Sequence, residues 1–204
     1  MSDIRNGDRN SSHIRAVVVT AMLSAVAFVL MFLDFSITFL ITNFVKMDFS
    51  ELPALLAAFA LGPVWGAVVC LVKNLIHLMI TTTAGAGELA NFLLGVCFVV
   101  PAGLIYRGNK NRRRALVGVL VGALCMAALS IPINYFITYP VYSRFLPIDA
   151  ILGMYQKLRP SVNGLLEGLV NFNAPCNVLK GVLTAVLCFL IYKPLSPILH
   201  GKGK

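Results

Sequence analysis

Residues 171–181 read NFNAPCNVLKG, and the apolar run VLTAVLCFLIY, residues 182–192, follows without a break. A lysine on a helix whose other faces meet lipid costs a few kcal/mol unless it finds a partner. Pro175 suits the first turn of a helix, with Asn173 or Ala174 as its cap. Asn177 and Lys180 are then three residues apart on one face of the first two turns. At 1.5 Å per residue, Lys180 is expected roughly 8 Å below the helix end. What these two side chains face decides how the other spans are arranged.

Hydrophobic residues make up 58% of the 204 and charged residues 12%, where a soluble domain carries about a quarter charged. The chain reads as an all-α membrane protein. A helical crossing needs about 20 apolar residues, so this length allows six crossings and no separate soluble domain. The polar opening MSDIRNGDRNSSHIR is too long for the n-region of a signal peptide, and no small-residue cleavage site follows the first span. That span is expected to be retained. The net charge of +9 matches an excess of Lys and Arg in cytoplasmic loops, without any nucleic acid partner. Cys70, Cys97, Cys125, Cys176 and Cys188 lie in or beside apolar runs without CxxC spacing and read as packing residues. His13, His77 and His200 are scattered. No metal site is expected.

Six spans are expected, at 14–33, 50–62, 63–80, 89–106, 115–137 and 175–192, forming a helical bundle. The second is only about a dozen residues long and meets the third at Gly62-Pro63, which predicts a tight helical hairpin. DFSITFLITNFVKMD, residues 34–48, is irregular and reads as a loop with some extended structure. Pro132 predicts a kink in span five, and a long polar connection leads to span six. The organisation is a tail at 1–13, a membrane domain at 14–193 and a second tail at 194–204.

Six spans put both termini on one side. Arg5, Arg9, Arg15, Arg107, Lys110, Arg112, Arg113, Arg114, Lys193, Lys202 and Lys204 fall there, against Lys46, Arg144, Lys157 and Arg159 opposite. This bias places both termini and the RGNKNRRR loop in the cytoplasm. Glu51, Glu88 and Glu167 stand at or before the three helices that start outside, where the helix dipole favours a carboxylate.

The polar side chains within the spans converge on the outer half: Lys73 and Asn74 in span three, Asn91 opening span four, Asn134 past Pro132, and Asn177 with Lys180. A lone Asn can bond a neighbouring helix. Lys73 can pair with Glu51 or Glu88, and Lys180 can snorkel outward. Asn134, Asn177 and Lys180 do not neutralise one another, so a polar-edged ligand entering from outside would supply the missing partner. The expectation is an outward-facing ligand pocket.

KMDFSELPALLAAFALGPVWGAVVCLVKNLIHL (46–78), GELANFLLG (87–95) and NFNAPCNVLKG resemble the riboflavin-specific substrate-binding subunits, or S components, of energy-coupling factor (ECF) transporters. The resemblance covers residues 16–192; the usual form before the closing Asn-x-x-Lys is nearer TPFN, and here it is NAPCN. It implies a six-helix subunit of the cell membrane that binds riboflavin near the outer face, without catalytic residues or a cofactor. Carried across by position, Asn134, Asn177 and Lys180 would hydrogen-bond the vitamin, with Asn91 nearby. Phe39, Leu40 and Phe44 of the first outer loop could cover its ring. Amides can donate and accept along the pyrimidine-like edge of the flavin, and a lysine can donate to a carbonyl or hydroxyl. No GxxxxGK[ST] is present, so this chain cannot hold ATP phosphates by a P-loop. The resemblance implies a transmembrane coupling subunit and a pair of ABC-type ATPases as partners. Ala21 and Ala25 resemble the family's AxxxA docking motif, though small residues four apart also serve packing within one chain.

Three other readings fit less well. An S component for thiamin would place a cation beside Lys180, and one for pantothenate remains a near variant. A membrane-embedded enzyme lacks a nucleophile–base pair. A stand-alone secondary transporter or channel would be expected to show inverted repeats.

Overall fold

The computed structural model describes residues 2–33, 48–81, 85–144 and 147–199, with side chains described from His13 to Ile191 within those limits. It is all helical in these segments. Helix α1 spans Ser2–Phe32, α2 Glu51–Ala60, α3 Pro63–His77, α4 Ala86–Gly108 and α5 Arg112–Ile133. The short α6 spans Tyr139–Tyr142, α7 Ile148–Leu158, α8 Leu165–Gly168, and the last helix, α9, Ala174–Leu199. Five stretches are long and apolar enough to cross a membrane: His13–Phe32, Pro63–Ile80, Ala86–Gly108, Arg112–Tyr142 and Leu165–Ile191.

Large apolar side chains point outward from these stretches, among them Val17, Val29, Leu71, Leu104, Leu124 and Leu190. That pattern is unstable in water and suits lipid. The interior is lined instead by small residues such as Ala54, Ala57, Ala58, Ala102 and Ala123, which let backbones approach where lipid offers no hydrophobic gain for association. The α4–α5 contact shows this most clearly. A Cβ added to Gly118 would lie 2.7 Å from the carbonyl oxygen of Ala102, and one added to Gly122 would overlap that of Phe98.

The expected α2–α3 hairpin is present. Leu61 and Gly62 donate their N–H groups to Ala57 and Ala58, Gly62 takes φ 115°, and Pro63 starts the next helix. Helix α2 is buried along residues 51–59. At about 15 Å it is half the depth of the hydrocarbon core, so the other helices enclose it.

Three expectations are corrected. The last span does not start at Pro175: helical structure begins at Leu165 and runs through a π-helical turn, Leu169–Asn173, into α9. Asn173 and Ala174 are therefore inside a helix and cap nothing, and Lys180 lies about 22 Å along the rod. Span five likewise continues past 137, through a second π-helical turn, Asn134–Thr138, to Tyr142. Each π turn ends two residues before a proline, Pro140 and Pro175. A proline ring clashes with the carbonyl four residues back in an α-helix, and a wider turn relieves the clash. Pro175, expected at a helix start, is therefore accommodated inside a helix, as is Pro140. The third correction concerns the connection before span six, which contains α7. Its stripe Ile151, Leu152, Tyr155, Leu158 has helical spacing, and Ile151 and Tyr155 are buried.

The α4–α5 contact gives a direct test. Gly122→Leu should lower the thermal midpoint by several degrees, since overpacking costs about 1–3 kcal/mol. Gly153→Ala in α7, where an added Cβ meets nothing within 4 Å, should leave the midpoint unchanged or raise it. Thermal unfolding in detergent compares the two, and equal effects would remove the role given to the α4–α5 approach.

Candidate ligand-binding site

Four buried charged residues, Asp48, Glu51, Lys73 and Lys180, lie in one connected network. Lys73 on α3 and Glu51 at the start of α2 are 0% and 1% exposed and pair at 2.8 Å. Lys73 also donates to Ser50 Oγ at 2.6 Å. Ser50 in turn donates to Asp48 Oδ1 through its backbone N–H, at 2.8 Å, and through its hydroxyl. The other carboxylate oxygen, Oδ2, accepts from Lys180 Nζ at 3.3 Å. Glu51 Oε1 is 3.7 Å from the same ammonium. Two carboxylates and two ammonium groups thus balance. The α2 start, the C-terminal half of α3 and the second turn of α9 meet here, and α4 leaves room for them: a Cβ on Gly95 would sit 2.8 Å from Glu51 Oε2.

The sequence offered Glu51 or Glu88 as partner for Lys73, and Glu51 is the one. The expectation that Lys180 lacks a partner is overturned, because Asp48, 132 residues away, supplies it. Nor are the two amides idle. Asn134 donates to the Ser130 carbonyl at 2.8 Å and Asn177 to the Asn173 carbonyl at 2.9 Å, each back onto its own helix. Among the described residues no hydrogen bond joins either amide to Lys180, though Asn177 stands one turn before it. Asn134 is buried and Asn177 half-buried. Asn74 bonds the Cys70 carbonyl at 2.7 Å. Its buried Oδ1, like Thr138 Oγ1 in the π turn, has no partner among the described residues. Asn91, expected in the first turn of span four, is half-buried and lies in the second turn of α4, which begins earlier than expected. Phe39, Leu40 and Phe44 lie outside the described residues.

Two further networks went unread in the sequence. Glu88, seen there as a helix-start carboxylate, accepts from Thr81 Oγ1 at 2.8 Å and pairs with His77 Nδ1 at 2.9 Å. Tyr155 on α7 donates to Asn173 Oδ1 at 3.0 Å and bonds the Tyr139 hydroxyl. The usable signal for the second was the helical spacing of Ile151 and Tyr155 within the polar connection.

On α1, Ala16, Thr20, Ser24 and Ala27 are buried, whereas Ala21 and Ala25 are exposed beside Val18 and Met22. The alanine pair faces away from the bundle. Packing among the described residues does not account for it.

Residues 15–192 match the family model described as ECF transporter, substrate-specific component. The chain is 34% identical to the riboflavin transporter RibU of Staphylococcus aureus (strain TCH60) over 95% of its own length and 98% of that protein's. It is 32% identical to the riboflavin transporter FmnP of Bacillus subtilis (strain 168), over 90% and 93% of the two chains. A solved structure described as the S component of a bacterial ECF transporter superposes with a TM-score of 0.73 at 32% identity, covering 92% of this chain and 98% of the other. Length, helix pattern and relatives agree, and the chain belongs to the family of substrate-specific components of ECF transporters, as a multi-pass membrane protein.

Proposed function

We propose that this protein binds riboflavin from the outer side of the cell membrane and delivers it to an ATP-driven coupling module, with no catalytic step of its own. The observation that carries this reading is the likeness to proteins named riboflavin transporters over nearly the whole chain. The chemistry of the site supports it. Lys180 offers a charge-compensated ammonium, Asn134 and Asn177 offer amides whose back-bonds a ligand can exchange, and riboflavin presents carbonyls, N–H groups and hydroxyls to match. Phe39, Leu40 and Phe44 are proposed to cover the ring, with Asn91 at the edge of the site.

In this reading five long helices and the short α2 make up a six-helix unit. The eleven basic residues on one side put both termini in the cytoplasm, and the pocket opens outward. Ala21 and Ala25, exposed on α1, contact the transmembrane coupling subunit, which carries a pair of ABC-type ATPases.

Three outcomes test this reading. Lys180→Met should weaken riboflavin binding about 10- to 150-fold, the equivalent of one charge-assisted bond worth about 1.5–3 kcal/mol. The substitution also leaves Asp48 short of a counter-ion, so a lower thermal midpoint is expected alongside. Quenching of flavin fluorescence by purified, monodisperse protein measures the affinity, and an unchanged value removes Lys180 from the site. For orientation, Lys157→Cys and Asn109→Cys are placed separately in a cysteine-free background. An impermeant maleimide on whole cells should label the first and spare the second until lysis, and the reverse pattern would invert the topology. Finally, Ala21→Trp with Ala25→Trp should abolish cellular uptake and co-purification with the coupling proteins. Binding by the isolated subunit should survive, because distant sites without shared partners act independently. Full uptake in this double variant would show that the face serves another purpose.

A further inference from the structure

We infer that Asp48 is the positioning residue for Lys180, holding its ammonium at the ligand edge through a carboxylate that Ser50 keeps aimed. This rests on the riboflavin-binding reading above. Asp48 stands just before α2, is buried, and has both oxygens committed. Oδ1 takes the N–H and hydroxyl of Ser50, and only Oδ2 is left for Lys180. Ser50 is fixed in turn: its hydroxyl oxygen accepts from Lys73, which Glu51 anchors. The order along the chain of contacts is therefore Glu51, Lys73, Ser50, Asp48, Lys180, with the rigid ion pair at one end and the ligand-facing lysine at the other.

Two consequences follow for Lys180. A lysine side chain has four rotatable bonds and, unpaired, extends its ammonium toward water. Tied to Asp48 it is fixed before the ligand arrives, so less freedom is lost on binding. Asp48 also cancels its charge. Without that carboxylate, Lys73 and Lys180 would share Glu51 alone, and a buried ammonium next to another is disfavoured. The tie occupies one of the three N–H donors of Lys180. Among the described residues the other two have no acceptor within hydrogen-bond distance. They are available to a carbonyl or hydroxyl of the ligand. Asp48 itself then needs no contact with the vitamin. It acts through Lys180.

A double-mutant cycle read by riboflavin affinity separates this role from a structural one. The four proteins are the unsubstituted chain, Asp48→Asn, Lys180→Met and the two combined, each full length and monodisperse in detergent. Asp48→Asn is expected to weaken binding roughly tenfold, the scale of one freed long side chain. In the Lys180→Met background the same change should alter affinity less than about twofold, because the group it positions is gone. Equal losses in both backgrounds would mean that Asp48 serves the fold or meets the ligand by itself, and would overturn the inference. So would full affinity in Asp48→Asn with Lys180 intact. If Asp48→Asn does not give folded protein, Ser50→Ala carries the same cycle and the same outcomes, since it keeps the charge and removes the hydroxyl that aims it. Failure of the unsubstituted protein to bind riboflavin would overturn the functional reading instead, and is seen in the first titration.

Discussion

A bilayer interior solvates neither carboxylates nor ammonium groups, so four such groups buried together must satisfy one another. Asp48, Glu51, Lys73 and Lys180 do so with Ser50 between them, at distances of 2.5 to 3.7 Å. Losing one partner of a buried pair costs about 3–5 kcal/mol, because the remaining charge is left uncompensated. That penalty fixes the relative placement of α2, α3 and α9, which the apolar surfaces alone would leave free to slide in lipid. It also explains why α2 can be short. A helix of 10 residues cannot span the core, but its first turn carries the carboxylate on which α3 and α9 converge.

The parts of the fold written in composition and local spacing were legible. Outward apolar faces gave the long helices, and Gly62-Pro63 gave the hairpin. Glu51 was one of two partners considered for Lys73. What escaped was set by distance or by unusual helix geometry. Nothing local links Asp48 to a lysine 132 positions later, although both lie in the quoted motifs. Without that carboxylate, Lys180 was read as a charge awaiting a ligand. Proline suits a helix start, so Pro175 reads as one in the sequence. The alternative, a π turn just upstream, leaves no mark in a single sequence beyond the proline itself.

A π turn lies in each of the rods built on α5 and α9. Both sit where α5 and α9 approach the α7 side of the bundle, and both contain an asparagine that bonds outside its own turn: Asn134 donates to the Ser130 carbonyl, and Asn173 accepts from Tyr155. Wider turns loosen the backbone ladder locally and are frequent at functional sites. Here the first π turn holds Asn134, and the second ends four residues before Asn177.

The balance of charge in the network has an electrical consequence. Membrane voltage does work on a charge that changes depth, about 2.3 kcal/mol for each elementary charge per 100 mV. Two ammonium groups and two carboxylates that move as one body carry no net charge. A change in the subunit's depth or tilt therefore leaves this core electrically silent. Through these four groups the resting potential of the cell does no net work on such a movement.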